Sequence, residues 1–189
     1  MPLIPVFRIG LWNAWIFMTV FLLQMLIMRF VNKDVYKKTG ENPRKEQKLQ
    51  ERVAGDIFNS LIYISFIYTI FLPFKLGTLW FYTGLLIYFS GLLILIIATI
   101  NFLATPTNLP VTKGLYRYSR HPLYFSTFII FIGTGIATAS WIILIISVTC
   151  LIIANVYVAS EECFCIKKYG NYYLKYLEKT PRWIGIPKQ

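Results

Sequence analysis

The sequence is poor in the residues that build metal centres and disulfide frameworks. Its 189 residues include one histidine, His121, and three cysteines. Cys150 lies in an apolar block and reads as a packing residue. Cys163 and Cys165 form a lone C-x-C with no second pair and no histidine near it, so no zinc or other metal site is expected. An odd count without a framework suits a reducing, cytosol-facing surface. Acidic groups are scarce as well: eight aspartates and glutamates stand against 19 lysines and arginines, a net charge of +11. The basic residues cluster in loops between apolar blocks, as the positive-inside rule produces, and this excludes nucleic acid as the expected partner. Against so few acids, the one adjacent pair of carboxylates, Glu161 and Glu162, stands out.

What the chain has in excess is apolar surface. It is 57% hydrophobic and 17% aromatic, with a mean hydropathy of +0.58. A soluble domain of this size has no room for so much, and the apolar residues are blocked rather than periodic. The expectation is a single all-α integral membrane domain over 1–189, with five transmembrane helices at 7–31, 57–74, 79–103, 123–139 and 141–160. The first block has no small-residue cleavage site after it and reads as a retained helix, with Trp12 and Trp15 as interfacial anchors. Residues 32–56 form the long hydrophilic stretch, turned at Gly40 and Pro43. It reads as a solvated, partly helical loop with contact to anionic lipid heads. Trp80, Phe81 and Tyr82 make an aromatic belt at the entry to the third span. Gly133, Thr134, Gly135 and Thr138 let neighbouring helices approach the fourth. Almost nothing joins the fourth span to the fifth, which predicts a tight helical hairpin. With the C-terminal tail inside, only Arg8 and Lys75 of the 19 basic residues fall on the far side. The expected orientation is therefore N-terminus outside and C-terminus cytosolic.

One polar stretch interrupts the apolar blocks, Gly114-Leu-Tyr-Arg-Tyr-Ser-Arg-His-Pro-Leu-Tyr124. Pro122 disfavours helix at His121 and suits the first turn of the next helix, so Arg120 and His121 belong to an ordered loop at the mouth of a helix starting near Leu123. Free N–H groups there suit a carboxylate or phosphate. The predicted hairpin brings its open ends together, so Glu161 and Glu162 meet His121 at the inner interface. A lone histidine is a weak signal, and the bland reading of the two glutamates is a solvated helix end. Acids are unfavourable at a helix C-terminus, however, so the helix continues past them or they bind a cation. In the tail, Tyr169, Tyr172, Tyr173 and Tyr176 recur at helical spacing, followed by Pro181-Arg182-Trp183. The pattern fits an interfacial amphipathic helix, or a lid whose aromatics wall a flat ligand.

These residues resemble those of the integral-membrane methyltransferases that include isoprenylcysteine carboxyl methyltransferase, phospholipid methyltransferases and prokaryotic relatives. The resemblance covers about Asn101 to Trp183. It rests on Leu109-Pro110-Val111-Thr112-x-Gly114-x-Tyr116, on Arg120-His121-Pro122-x-Tyr124, on Glu161-Glu162 after the hairpin, and on Tyr169-Gly170-x-x-Tyr173-x-x-Tyr176. It implies an S-adenosylmethionine site on the cytosolic face, formed by residues 104–122 and 161–189. By position, the cofactor contacts are Asn108, Leu109, Pro110, Val111, Tyr116, His121, Pro122, Leu123, Tyr124 and Glu161. Asn101 falls where relatives often carry glutamine. Arg120 suits the cofactor carboxylate, and Glu162 or Tyr157 is placed to accept a proton from a neutral acceptor. In the isoprenylcysteine enzymes an arginine occupies the position of Tyr157. A tyrosine cannot supply its bidentate cationic fork, which argues against a prenylcysteine carboxylate and for another lipophilic acceptor or lipid. Two rivals remain at this point: a nicotinamide-dependent membrane reductase of the sterol-reductase type, and a non-enzymatic membrane scaffold.

Overall fold

A computed structural model describes residues 7–31, 47–106 and 108–188. Among these the chain forms six α-helices and a 3-10 turn. They are α1 (Trp15–Val31), α2 (Leu49–Ile70), α3 (Leu79–Leu103), the 3-10 turn Gly114–Arg117, α4 (Pro122–Ala137), α5 (Trp141–Tyr169) and α6 (Asn171–Lys179). The described residues contain no strand beyond one isolated bridge between Asn13 and Pro73. Three helices, α2, α3 and α5, are long and apolar enough to cross a membrane, and α4 is a shorter apolar helix. The basic stretch 32–46, with its Gly40–Pro43 turn, lies outside the described residues.

Several boundaries differ from the sequence expectation. The first apolar block is not helical from residue 7, because 8–14 run alongside the α2–α3 connection. Phe74 N–H donates to Trp12 O at 3.1 Å and Ala14 N–H to Leu72 O at 2.9 Å, while the Asn13 amide donates to Ile70 O at 2.7 Å. Carbonyls freed where Pro73 ends α2 are thus satisfied from the N-terminal segment. At its other end α2 begins eight residues before the expected 57, inside the polar stretch, where the Glu51 carboxylate accepts from Lys48 N–H at 2.9 Å and caps the first turn. The α5 helix runs past the expected end at 160 as far as Tyr169, so Glu161 and Glu162 sit mid-helix, away from the unfavourable C-terminal dipole.

The core is a layer of helices tied by small residues and a few polar bonds. Gly84 of α3 and Gly133 of α4 face each other so closely that a Cβ on Gly84 would strike the backbone of Ala137, and one on Gly133 the backbone of Tyr88. Ridges that shallow let the two backbones touch, which is how apolar helices gain packing energy in lipid. Around this seam Tyr88, Leu95, Ile130 and Phe131 are buried. The Tyr88 hydroxyl donates to Phe17 O at 2.9 Å and the Gln24 amide to Thr99 Oγ1 at 2.8 Å, tying α1 to α3. Residues 138–140 turn the chain from α4 into α5, and Ser147 Oγ donates back to Phe128 O at 3.1 Å. The end of α5 carrying the two glutamates therefore lies beside the start of α4.

Candidate functional site

The site is assembled at that junction. Arg120 and His121 end the loop after the 3-10 turn, His121 occupies the N-cap of α4, and Pro122 is its first helical residue. Proline there loses no hydrogen bond and sets the first turn, which aims Tyr124 along the same face as His121. The loop is fixed from behind. Gly114 adopts φ +63, a left-handed conformation, and its missing Cβ leaves room for the Asn101 side chain. The His121 N–H donates to Ser119 Oγ at 3.2 Å.

Glu162, only 6% exposed, is the hub. Its Oε1 lies 3.0 Å from Arg120 Nε and 3.1 Å from His121 Nε2, and its Oε2 accepts from Arg182 Nη2 at 2.6 Å. Arg182 Nε donates to Oε1 at 3.3 Å, completing a two-point grip. Arg120 Nε is an ion-pair partner only, since it lacks the alignment of a hydrogen bond; its Nη1 donates to Leu177 O at 3.1 Å. Glu161 points elsewhere and is more open. It accepts from the Tyr124 hydroxyl at 2.7 Å and lies 3.6 Å from His121 Nδ1. The single histidine thus presents each ring nitrogen to a different carboxylate.

Aromatic rings enclose the cluster. Tyr124 meets Phe58 of α2 and Tyr157 of α5 edge-on, at centroid distances of 5.6 and 6.2 Å. The Tyr157 ring in turn packs against Gly55 of α2, where a Cβ would collide with it. Trp183 stands 6.3 Å from the His121 ring and donates to Asn155 Oδ1 at 2.9 Å. Tyr176 of α6 donates to Tyr116 O at 2.6 Å. Burial raises the phenols of Tyr173, Tyr176 and, with the charges of Tyr176 and Glu161 adding to it, Tyr116, so all three are neutral hydrogen-bond donors. The tail after α6 is strapped on by backbone bonds. Arg120 N–H donates to Pro181 O at 3.0 Å and Gly185 N–H to Tyr118 O at 3.1 Å.

Residues 74–172 match the phospholipid methyltransferase family. The chain belongs to this family. The match takes in α3, the polar loop, α4 and all of α5, and so contains every charged residue of the cluster except Arg182, while the enclosing rings of Phe58, Tyr173, Tyr176 and Trp183 lie outside it. An 81-residue stretch is 32% identical to protein-S-isoprenylcysteine O-methyltransferase of Schizosaccharomyces pombe, covering 42% of this chain and 34% of that protein. The chain therefore spans about a third of the length of the curated relative it matches.

Of the residues singled out in the sequence of this family member, the fold brings Arg120, His121, Tyr124, Tyr157, Glu161 and Glu162 together. Tyr116 is buried nearby, its carbonyl bonded to Tyr176 and its ring beside Phe102. Pro122 is buried as the first residue of α4, while Leu123 packs against the central core. In the 108–111 segment, Asn108 and Leu109 are exposed, Val111 half-buried and Pro110 buried. Among the described residues no group of histidines, cysteines and acids has the arrangement of a metal site. Sequence reasoning noticed Pro181-Arg182-Trp183 as a lid but did not assign Arg182 to Glu162. The available signal was its place, a few residues beyond an amphipathic helix on the same side as the carboxylates.

Proposed function

We propose that the protein is an integral-membrane methyltransferase that moves a methyl group from S-adenosylmethionine to a lipophilic acceptor at the cytosolic membrane interface. The observation that carries the reading is the convergence of Arg120, His121 and Tyr124, at the mouth of α4, on two adjacent glutamates of α5 within the segment that matches the family. The donor set fits such a cofactor. Arg120 and Arg182 are guanidinium partners for a carboxylate, and Glu161, with its side chain 26% exposed, is a partner for an ammonium or ribose hydroxyls. Tyr124, Trp183 and Tyr116 give flat walls. The buried Asn101 Nδ2, behind Gly114, has no partner among the described residues, and a buried donor left unpaired is costly unless a ligand meets it. Asn108 to Val111 supply the backbone edge of the same loop. When bound, S-adenosylmethionine supplies an electrophilic methyl group on its sulfonium.

The acceptor's route is apolar. A narrow crevice between α2, α4 and α5, lined by Phe58, Ile62, Thr127, Phe131, Cys150 and Ala154, ends at Tyr124. Tyr124 links this crevice to Glu161, to which its hydroxyl donates, and to the Tyr157 ring. Among the described residues no cation lines the crevice, which disfavours a carboxylate acceptor and favours a phenol, thiol, amine or lipid headgroup. Glu162, gripped by two guanidiniums, is a weakened proton acceptor. Tyr157 lies nearer the crevice. The packed rings and the tail exclude water, and orientation supplies most of the rate. In this reading the chain crosses the bilayer five times, α4 and α5 forming the hairpin, with the N-terminus outside and the tail cytosolic. At about 24 Å, α4 is short for a span and needs its flanking residues at the interface.

The test is calorimetric titration of the purified protein with S-adenosylhomocysteine, beside an Arg120→Ala/Glu161→Ala double variant. Micromolar binding to the parent and none to the folded variant is the expected result. No binding to the folded parent would refute the reading.

A further inference from the structure

Away from the carboxylate cluster, the tail presents a second polar feature. There an open cleft of about 660 Å³ lies between the 3-10 turn, α6 and residues 186–188. Four cations line it, Arg117, Lys175, Lys179 and Lys188, and among the described residues no acid does. The charge is built in by helix geometry. Tyr172, Lys175, Tyr176 and Lys179 are spaced 0, 3, 4 and 7 along α6, so they form one stripe. The Lys188 N–H donates to Lys179 O at 2.8 Å, folding the end of the chain back beside α6 to close the third wall. Hydroxyl donors sit among the cations, from Thr112 and from Tyr118 and Tyr172, whose rings are exposed.

We propose that this cleft binds the phosphate of an anionic phospholipid headgroup, as a site separate from the carboxylate cluster. Four cations and several hydroxyls without an acid are complementary to a phosphodiester. The apolar rim decides for a lipid over a soluble anion. Ile186, 89% exposed, and Ile184, 64% exposed, project from the tail on either side of Gly185. Aliphatic side chains that open to solvent beside a basic, tyrosine-rich helix are the composition of a segment seated in the headgroup region. A lipid held here would also brace the strap, because Tyr118, which lines the cleft, takes the Gly185 N–H bond. The inference stands whether or not the carboxylate cluster transfers methyl groups.

The test uses the whole protein in nanodiscs of equimolar phosphatidylglycerol and phosphatidylcholine with the same acyl chains. Native mass spectrometry then counts the lipids that survive release. The parent is expected to retain one phosphatidylglycerol in preference to phosphatidylcholine. Each interfacial cation is worth about fivefold in affinity for an anionic lipid, so an Arg117→Gln/Lys175→Gln/Lys179→Gln variant should lose the preference by about a hundredfold. Lys75→Gln, at the other end of the molecule, should leave it unchanged. An unaltered thermal midpoint in the triple variant shows that the fold survives. Equal retention of the two lipids, or an unchanged preference in the triple variant, overturns the proposal. So does displacement of the lipid by submillimolar inorganic phosphate, which would make the cleft a soluble-anion site.

Discussion

Exchanging each carboxylate of the Glu161–Glu162 pair for its neutral isostere separates their roles. Glu162→Gln keeps shape and removes charge. It leaves the Arg120 guanidinium, on a side chain 13% exposed, beside Arg182 and His121 with no anion between them. Breaking a buried pair by removing one partner costs about 3–5 kcal/mol. Arg182 adds little to that figure, because its side chain is 33% exposed and screened. Glu161→Gln still offers a carbonyl to the Tyr124 hydroxyl, and its cost should stay under about 1 kcal/mol, the worth of a weakened hydrogen bond. For a chain of this length, 3–5 kcal/mol corresponds to a fall of about 6–20 °C in thermal midpoint. Cys150 is 7% exposed and reports unfolding through a fluorogenic maleimide, in a Cys163→Ser/Cys165→Ser background that removes the accessible thiols. Adding Arg120→Gln to Glu162→Gln should recover part of the loss, since the orphaned charge goes with it. A midpoint for Glu162→Gln no lower than for Glu161→Gln, or strict additivity in the double variant, would refute the assignment of Glu162 as the hub.

Two further outcomes test other levels of the structure. Gly133→Leu should prevent recovery of folded protein, because its side chain has nowhere to go but the Tyr88 backbone, while Ser90→Leu on the exposed face of α3 should behave as the parent; size-exclusion profiles in detergent distinguish the two. Tyr116, Tyr173 and Tyr176 have raised folded-state values and ordinary ones, about 10, once unfolded. Above that pH the unfolded chain releases protons that the folded one keeps, so their contribution to stability is complete below pH about 10 and is lost as pH rises further. The last phenolate absorbance should therefore appear together with loss of helical circular dichroism; full phenolate signal with intact helices would show the burial to be wrong.

The sequence carried the apolar helices because blocked hydrophobicity is a one-dimensional signal, and it carried His121 because proline marks a helix start locally. Helix ends set by partners elsewhere in the chain were not legible. Residues 7–14 look as greasy as the helix after them, yet their backbone is claimed by the carbonyls that Pro73 frees, sixty residues away. The early start of α2 depends on Glu51 bonding to Lys48 N–H, in a stretch whose composition reads as loop. At the site, the meeting of α4 with the two glutamates was readable from the short 138–140 connection. The grip of Arg182 on Glu162 was not, since nothing in the composition of the tail says which of its six basic residues turns inward.

Adjacency itself explains why two carboxylates serve better than one here. Successive residues of an α-helix are rotated by about 100°, so Glu161 and Glu162 leave α5 toward different neighbours. Glu161 faces Tyr124 in the first turn of α4, and Glu162 faces the loop and the tail. The imidazole of His121 fills the angle between them, 3.6 Å from one and 3.1 Å from the other. One helical step thereby sets a carboxylate that holds the tail beside a carboxylate that is more open. Any group that draws Arg120 or Arg182 away from Glu162 must disturb His121, and through it the environment of Glu161. Arg182 therefore belongs to the same charge network as His121 and Glu161, even though it lies beyond the segment shared with the family.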